Sequence, residues 1–292
     1  MGHKSGFVNI LGNPNVGKST LMNLLVGERL SVITPKAQTT RHRIMGVLSG
    51  DDYQIVYSDT PGILNPKYKL QAVMMKSVES ALDDADLILY VTDVVETVDK
   101  NAEQLARILT SEVQKIIVIN KIDLTTQAEL ENIVEKWADM APGVPILPLS
   151  ALNKFNTDLL LRQIIASLPE GPPYFPKDQL TDRYERFFVS EIIRGKIFET
   201  YQKEIPYSVE VEIESYKEEE TLTRIAAVIY TARDSQKGIL IGHKGSMLKR
   251  VGTGARKEIE EFLGKKVFLE LYVKVAREWR DNPRMLKKFG YL

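Results

Sequence analysis

The sequence predicts two domains of different class: an α/β domain with a doubly wound, mostly parallel sheet, followed by a smaller α+β domain. The first half alternates short runs rich in Ile, Val and Leu with amphipathic segments, as expected of strands covered on both faces by helices. This alternation stops at Leu168, where a stretch rich in proline and glycine begins. The order of predicted elements then changes to helix, strand, strand, helix, helix, strand.

The predicted elements of the first domain follow from the period of the apolar residues. The strands are expected at residues 7–11, 53–57, 87–92, 116–119 and 146–149, with an additional antiparallel strand at 45–49. The helices are expected at residues 18–26, 71–82, 102–109, 128–138 and 157–168.

The domain boundaries follow from the same reading. We predict a first domain at residues 1–170, a linker at 171–181, a second domain at 182–276 and a basic tail at 277–292. Asp182 and Glu185 have the spacing of a capping box, which predicts a helix that continues to about Tyr201.

Composition excludes several classes of protein. The chain has no cysteine, which rules out disulfides and cysteine-ligated zinc. The first residues lack the apolar core of a signal peptide, and no apolar run approaches the roughly 20 residues that span a membrane. Residues 181–292 carry 22 Lys and Arg against 18 Asp and Glu, which favours an anionic partner such as RNA or a membrane surface.

A phosphate-binding loop is predicted at residues 12–19, whose sequence GNPNVGKS matches G-x-x-x-x-G-K-[ST] between a strand and a helix. Backbone N–H groups there can surround phosphate oxygens, Lys18 can reach the β- and γ-phosphates, and the Ser19 hydroxyl can hold Mg²⁺. The nucleotide-binding residues expected from this loop are Asn13, Asn15, Val16, Gly17, Lys18, Ser19 and Thr20. This context predicts a P-loop NTPase.

Two further segments are predicted to sense the γ-phosphate. Asp59-Thr60-Pro61-Gly62 follows a strand, so Asp59 can hold the Mg²⁺ shell and the Gly62 N–H can contact the γ-phosphate. GTPases of this plan also place a Thr in the loop after the first helix, where it binds Mg²⁺ only when the γ-phosphate is present. We assign Thr40 to that role, with Thr39 as the alternative. Ser19, Thr40 and Asp59 are thus the expected metal ligands, and Lys18, Thr40 and Gly62 the expected catalytic residues.

Residues 120–123 (NKID) predict that the base is guanine. The Asp123 carboxylate can accept hydrogen bonds from guanine N1–H and the 2-amino group, whereas adenine offers neither donor. Asn120 is expected at the other edge of the base, and the Lys121 stem over its face. A backbone N–H of Ser150, Ala151 or Leu152 can bind guanine O6.

The position after Gly62 is Ile63, which cannot hydrogen-bond a water through its side chain, unlike the Gln of Ras-like enzymes. The sequence therefore predicts slow intrinsic hydrolysis of GTP that is aided by a backbone group, an ion or a partner. A potassium ion held by Asn13 or Asn15 is one candidate. Arg41 and Arg43 fit either an arginine finger or a solvated, RNA-facing surface.

The second half has the element order of a type II KH domain, with a Gly-x-x-Gly loop between its last two helices. The residues expected to bind RNA are Ile241, Gly242, His243, Lys244, Gly245, Lys249 and Arg250. The tail combines Arg and Lys with Trp279 and Phe289. It can stack on bases, or it can pack against its own domain as a helix.

Together these motifs resemble the Era family of bacterial GTPases. The likeness rests on residues 12–19, 37–43, 59–62, 120–123, 207–209, 241–245 and 269–274, in order along nearly the whole chain. The resemblance implies GTP/GDP and Mg²⁺ as ligands, binding of the 3′ end of 16S rRNA, and a role in assembly of the 30S ribosomal subunit. It also implies a cytoplasmic protein, with peripheral membrane association in some members, and we expect a monomer.

A second interpretation stays open. The chain could be a mainly structural RNA-binding assembly factor whose nucleotide site binds GTP but barely hydrolyses it, and Ile63 is the residue that favours it. RNA-dependent acceleration of phosphate release distinguishes the two.

Overall fold

The computed structural model describes residues 2–95 and 101–292 and divides the chain into two compact units. The first comprises the residues up to Pro66 together with Met74–Asp182. The second comprises Lys67–Val73 together with Arg183–Leu292.

The first unit contains a six-stranded sheet in the order β2-β3-β1-β4-β5-β6, in which β2 runs antiparallel to β3 and the other pairs are parallel. The strands are β1 (Lys4–Leu11), β2 (Ile44–Ser49), β3 (Tyr53–Asp59), β4 (Leu87–Asp93), β5 (Gln114–Asn120) and β6 (Ile146–Pro148). The helices of residues 1–182 are α1 (Lys18–Val26), α2 (Lys69–Asp83), α3 (Ala102–Thr110), α4 (Gln127–Met140) and α5 (Thr157–Ser167). The predicted α/β architecture, including the antiparallel strand before Tyr53, is confirmed.

Burial explains why these apolar runs form strands. Every residue of β4 is buried, and β3 is buried after its first residue, so neither shows the alternation of a half-exposed strand. The parallel strands end at one edge of the sheet, where β1, β3 and β5 each lead into a loop with polar residues and β4 ends at Asp93. That edge is where open α/β sheets bind ligands.

The segment predicted as a linker is held against the first unit by hydrogen bonds. Gln54 is fully buried, and its side chain accepts from the backbone N–H groups of Tyr174 and Phe175 and donates to the Phe175 carbonyl. The Val47 N–H donates to the Leu180 carbonyl at 2.8 Å. These contacts give residues 171–182 fixed partners on β2 and β3, which composition alone did not indicate.

The second unit has the predicted order of elements around a three-stranded sheet, β7-β8-β9, with β7 antiparallel and β9 parallel to β8. Its strands are β7 (Val209–Glu218), β8 (Leu222–Thr231) and β9 (Lys266–Val275). Its helices are α6 (Glu185–Thr200), α7 (Ile205–Ser208), α8 (Asp234–Ile241), α9 (Ser246–Leu263) and α10 (Pro283–Lys288). Apolar residues of α6 and α9, such as Ile193, Ile197 and Ile259, are buried in one core with the sheet.

The predicted capping box at Asp182 is wrong. The helix begins at Glu185 with Tyr184 at the N-cap position, and the Tyr184 side chain makes no capping hydrogen bond. Asp182 lies two residues before the N-cap position, so it is not the residue that caps the first turn.

The basic tail packs against its own unit. Trp279 is fully buried, its indole N–H donates to the Ser208 carbonyl at 2.8 Å, and its ring meets Phe289 edge-on. Of the two interpretations of the tail, these contacts favour packing, because the Trp279 ring has no face left for a base. Among the described residues no helix combines the length and apolar character needed to span a membrane.

Candidate functional site

A phosphate-sized cradle lies where β1 turns into α1. Gly17 precedes the helix with φ of 97°, and a Cβ built on it would lie 2.2 Å from Asn120 Nδ2, so glycine is required. No side chain caps the helix at Gly17, which leaves the first N–H groups of α1 directed at the cavity. This cavity of about 400 Å³ is lined by Asn15, Gly17, Lys18, Ser19, Thr20, Thr40, Gly62 and Lys121 among others.

Lys18 is positioned by hydrogen bonds to the backbone of the phosphate-binding loop. Its side chain is 6% exposed, and the ammonium donates to the carbonyls of Gly12 at 3.0 Å and Asn13 at 2.8 Å. Those two bonds hold the positive charge over the turn, beside the cavity.

Three oxygen donors meet beside the cradle. The Ser19 hydroxyl donates to Asp59 Oδ2 at 2.7 Å, and Thr40 Oγ1 lies 3.0 Å from the Ser19 hydroxyl and 3.2 Å from Asp59 Oδ2. Asp59 is fully buried, and its Oδ1 has no hydrogen-bond partner among the residues that the structure describes. Two hydroxyls and a carboxylate with an unpaired oxygen are hard ligands that fit Mg²⁺.

The charge state of Asp59 depends on its neighbours. Burial raises the pKa of the Asp59 carboxyl, and the Lys18 charge and the hydrogen bonds from Ser19 and Thr40 oppose that rise. A bound cation would favour the charged form further. Thr39 does not join this group, because its hydroxyl contacts Thr34 at 2.5 Å and the Lys36 carbonyl at 2.7 Å.

Asn120 connects three loops at the predicted base pocket. Its Nδ2 donates to the Val16 carbonyl at 2.9 Å, and its Oδ1 accepts from the Ala151 N–H at 3.0 Å. One amide proton of Asn120 is therefore left for a base, and the Ala151 N–H is already engaged. Asp123 Oδ1 accepts from the Ser150 hydroxyl at 2.5 Å, which fixes the carboxylate beside the same loop. Leu152, which follows Ala151 in the same loop, is 77% exposed.

Asp93 is a residue of this site that sequence reasoning missed. It ends β4 directly opposite Asn120, which ends β5, and it accepts from the Lys121 ammonium at 2.5 Å. The same ammonium donates to the Asn15 carbonyl at 2.6 Å. Lys121 is thereby extended along the phosphate loop. The available signal was the position of Asp93 at the carboxyl end of a predicted strand.

Ile63 lies in the core and not in the phosphate cavity. Its side chain is 2% exposed and packs in a cluster with Leu11, Ile88 and Tyr90. Its backbone N–H donates to the Gly12 carbonyl at 3.1 Å. Gly62 lies against Pro14 so closely that a Cβ would be 2.7 Å from Pro14 Cα. The segment after Asp59 is therefore held to the phosphate loop through its backbone.

Four other residues considered for catalysis or ion binding have protein partners. Asn13 Oδ1 accepts from Asn101 at 2.8 Å, and Asn15 Nδ2 donates to the Pro35 carbonyl at 3.2 Å. Arg41 is 1% exposed. The expectation that Arg43 is an arginine finger or a solvated residue is wrong, because its guanidinium is bound on both edges by Asp84 and by polar side chains of the sheet.

In the second unit the Gly-x-x-Gly loop is open to solvent. Gly242 has φ of 69°, and a Cβ on it would lie 2.6 Å from Met247 Cγ, so the loop requires glycine there. His243 and Lys244 are exposed, and Gly245 precedes α9 without a side-chain cap. The N–H groups of that first turn are available to an anion. Ile241, in contrast, packs against the core of the unit.

A groove of about 380 Å³ runs from this loop between α9 and β9. Its lining residues are Gly245, Leu248, Lys249, Gly252, Thr253, Arg256, Leu269 and Leu271. Lys249 was predicted, whereas Arg250 is exposed outside this lining. Gly252 and Thr253 were missed, although two small residues about two turns after a Gly-x-x-Gly loop leave room on that face of the helix.

Comparison with known proteins assigns both units. The model of the 50S ribosome-binding GTPase family matches residues 7–121, and the KH domain model matches residues 204–280. The chain is 46% identical over 290 residues to the GTPase Era of Geotalea daltonii, which covers 98% of this chain and 97% of that protein. It is 47% identical over 290 residues to GTPase Era of Geobacter sp. (strain M21), with 99% and 98% covered.

Two solved structures are similar over their whole length. One is a variant of Aquifex aeolicus Era bound to GDP and AlF4⁻, at 39% identity and a TM-score of 0.94. The other is Era in complex with MgGDPNP and nucleotides 1506–1542 of 16S ribosomal RNA, at 39% identity and a TM-score of 0.95. Each match covers 99% of both chains.

The buried position of Ile63 yields a prediction. Ile63→Gln should not accelerate GTP hydrolysis, because the amide would enter an apolar cluster instead of the phosphate cavity. An unpaired amide there should lower the free energy of unfolding by about 1–3 kcal/mol. Single-turnover phosphate release and thermal denaturation measure the two effects, with Ile63→Val as the apolar control. A faster variant would show that the side chain reaches the attacking water.

Proposed function

We propose, from the premise that this chain belongs to the Era family of GTPases, that it is a GTP-controlled switch that binds the 3′ end of 16S rRNA and assists 30S subunit assembly. The observation that supports the RNA part is the full-length similarity to an Era structure that contains nucleotides 1506–1542 of 16S rRNA. We further propose a monomer that acts in the cytoplasm. Peripheral membrane association stays a prediction.

The residues of the first unit divide the work on the nucleotide. Lys18 and the N-terminus of α1 neutralise the phosphates, while Ser19, Thr40 and Asp59 would hold Mg²⁺. When bound, that ion screens the charge that develops on the phosphate oxygens. Thr40 is the residue whose position reports the γ-phosphate, because its loop must close on Ser19 and Asp59 to complete the ligand set.

The chemistry of hydrolysis in this proposal uses backbone groups and fixed charges. Gly62 lies against the phosphate loop, so its N–H can face the γ-phosphate, and no side chain at position 63 competes for the attacking water. The resulting rate is low, because positioning by Lys18 and backbone donors replaces a general base or a water-orienting amide.

A potassium ion is proposed to bind at Asn15. Asn13 is the less favourable ligand, because its side-chain oxygen accepts a hydrogen bond from Asn101. Hydrolysis should then be faster in potassium buffer than in sodium buffer at equal ionic strength, because the larger ion fits beside the phosphates. Phosphate release under saturating GTP measures the rate, with choline chloride as the control that contains no alkali-metal ion. Equal rates of hydrolysis in all three salts would contradict the proposal that potassium takes part.

Guanine selection is proposed to depend on the Asp123 carboxylate that Ser150 holds in place. Asp123→Asn should lower GTP affinity about 100-fold and raise affinity for xanthosine triphosphate, because an amide donates where the carboxylate accepted. Competition against a fluorescent GTP analogue measures both. Asp139→Asn, at an exposed position of α4, is the control for loss of one carboxylate. Unchanged selectivity for GTP would contradict the assignment.

RNA is proposed to lie in the groove between α9 and β9, with its backbone at Gly242–Gly245. Gly252→Val should weaken binding of an oligonucleotide with the 16S rRNA 3′-end sequence about tenfold. A Cβ added at this position would lie 3.3 Å from Leu271 Cδ1, and the two methyl groups of valine would fill the groove. Gly254→Val is the matched control, since it loses glycine from the same helix facing Lys196. Fluorescence anisotropy measures affinity, and equal binding by both variants would contradict the groove.

The second candidate function, a structural RNA-binding factor with a nearly inactive nucleotide site, is favoured by one observation: Ile63 offers no polar group to the water. Phosphate release with and without the same oligonucleotide tests the main proposal. Acceleration by RNA supports a switch, and its absence together with intact RNA binding supports the structural factor.

A further inference from the structure

Arg43 makes a set of side-chain contacts that the nucleotide site does not explain. Its guanidinium binds Asp84 with two bonds, Nη1 to Oδ2 at 2.5 Å and Nη2 to Oδ1 at 2.9 Å. Nε and Nη2 donate to the Ser58 hydroxyl at 3.1 and 3.0 Å, and Nη2 also lies 3.2 Å from Asn9 Oδ1. We call Arg43, Asp84, Ser58 and Asn9 the Arg43 brace.

The brace joins elements that carry the metal ligands and the end of α2. Asn9 on β1 also donates to the Ala81 carbonyl in α2 at 2.6 Å and to Asp84 Oδ1 at 2.8 Å. Ser58 immediately precedes Asp59 on β3. Arg43 lies three residues after Thr40 and immediately before β2, whose first residue, Ile44, pairs with Asp59.

The position of Arg43 therefore fixes where the loop of residues 27–43 rejoins the sheet. Thr40, whose hydroxyl contacts Ser19 and Asp59, belongs to that end of the loop. A guanidinium can bind a carboxylate through two parallel bonds in one plane, which restricts the backbone of Arg43 far more than a lysine ammonium would.

The buried partners of Arg43 separate this cluster from an ordinary surface ion pair, although Asp84 itself is 47% exposed. The Arg43 side chain is 17% exposed, and Asn9 and Ser58 are fully buried, so their oxygens depend on protein donors. Glu79 on α2 also forms an ion pair, with Arg107 at 3.4 Å, but both side chains are more than half exposed. Such an exposed pair contributes little to stability.

We propose that Arg43 is a positioning residue for GTP hydrolysis, which acts by anchoring the Thr40 loop to Asp84 so that Thr40 and Asp59 reach the metal together. This inference rests on the proposed role of Thr40 in sensing the γ-phosphate. It assigns the arginine a role away from the transferred phosphate.

The test measures nucleotide affinity and turnover in the full chain. Arg43→Gln and Asp84→Asn should each weaken binding of a non-hydrolysable GTP analogue in Mg²⁺ by about tenfold, leave GDP affinity within about twofold, and lower kcat. Arg43→Lys should recover part of the loss, because it keeps the charge but not the two-bond geometry. Arg107→Gln and Glu79→Gln are the matched controls and should leave both affinities unchanged.

Thr40→Ala, measured beside these variants, tests the proposed role of Thr40 separately from that of the Arg43 brace. If Thr40→Ala leaves the ratio of GTP to GDP affinity unchanged, the proposed function of Thr40 is wrong. If it changes that ratio while Arg43→Gln and Asp84→Asn do not, or lower both affinities equally, the brace has a structural role only and this inference is overturned. Should Arg43→Gln fail to fold, Asp84→Asn alone decides the outcome, since Asp84 is 47% exposed.

Discussion

An α-helix leaves its first N–H groups without internal partners, and both candidate sites are built on that property. Helix α1 follows Gly17 and helix α9 follows Gly245, each with a left-handed glycine at the N-cap and no capping side chain. Helix α4 shows the alternative within the same chain, because Thr126 and Glu129 form a complete capping box there. Helices α3, α5, α6 and α8 also lack a capping side chain, so what distinguishes α1 and α9 is the left-handed glycine at the N-cap, where no side chain keeps a phosphate from the first N–H groups.

The two sites use that feature for different chemistry. In the first unit, Lys18 and buried oxygens surround the cradle, so a phosphate there lies next to a metal-binding set in a cavity of about 400 Å³. In the second, the loop opens onto a groove with apolar walls from Leu248, Leu269 and Leu271. An enclosed cradle suits a nucleotide whose charge changes during reaction, whereas an open groove suits a strand that passes through it.

The residues that the sequence identified are those whose role is local. The phosphate loop, the Asp59–Gly62 turn and the Asn120–Asp123 turn each follow a strand, and a strand end can be read from a few neighbouring residues. Contacts between distant segments could not be read. Arg43 meets Asp84 41 residues away, Trp279 meets Ser208 71 residues away, and Gln54 meets Phe175 121 residues away. A single sequence gives Arg43 no preference for Asp84 over the other acidic residues near it.

The same limit explains why the sequence could not choose between an arginine finger and a surface role for Arg41 and Arg43. An arginine near a γ-phosphate loop is expected to stabilise transferred charge, but among the described residues the cations that line the phosphate cavity are Lys18, Lys36 and Lys121. With Ile63 in the core as well, no amide side chain follows Gly62 to orient the water, and no guanidinium is among the described residues that line the phosphate cavity. Under the proposed mechanism, the rate of hydrolysis then depends on how accurately backbone groups and Thr40 are held. Residues that hold loops, although they never touch the nucleotide, become the ones on which the rate depends.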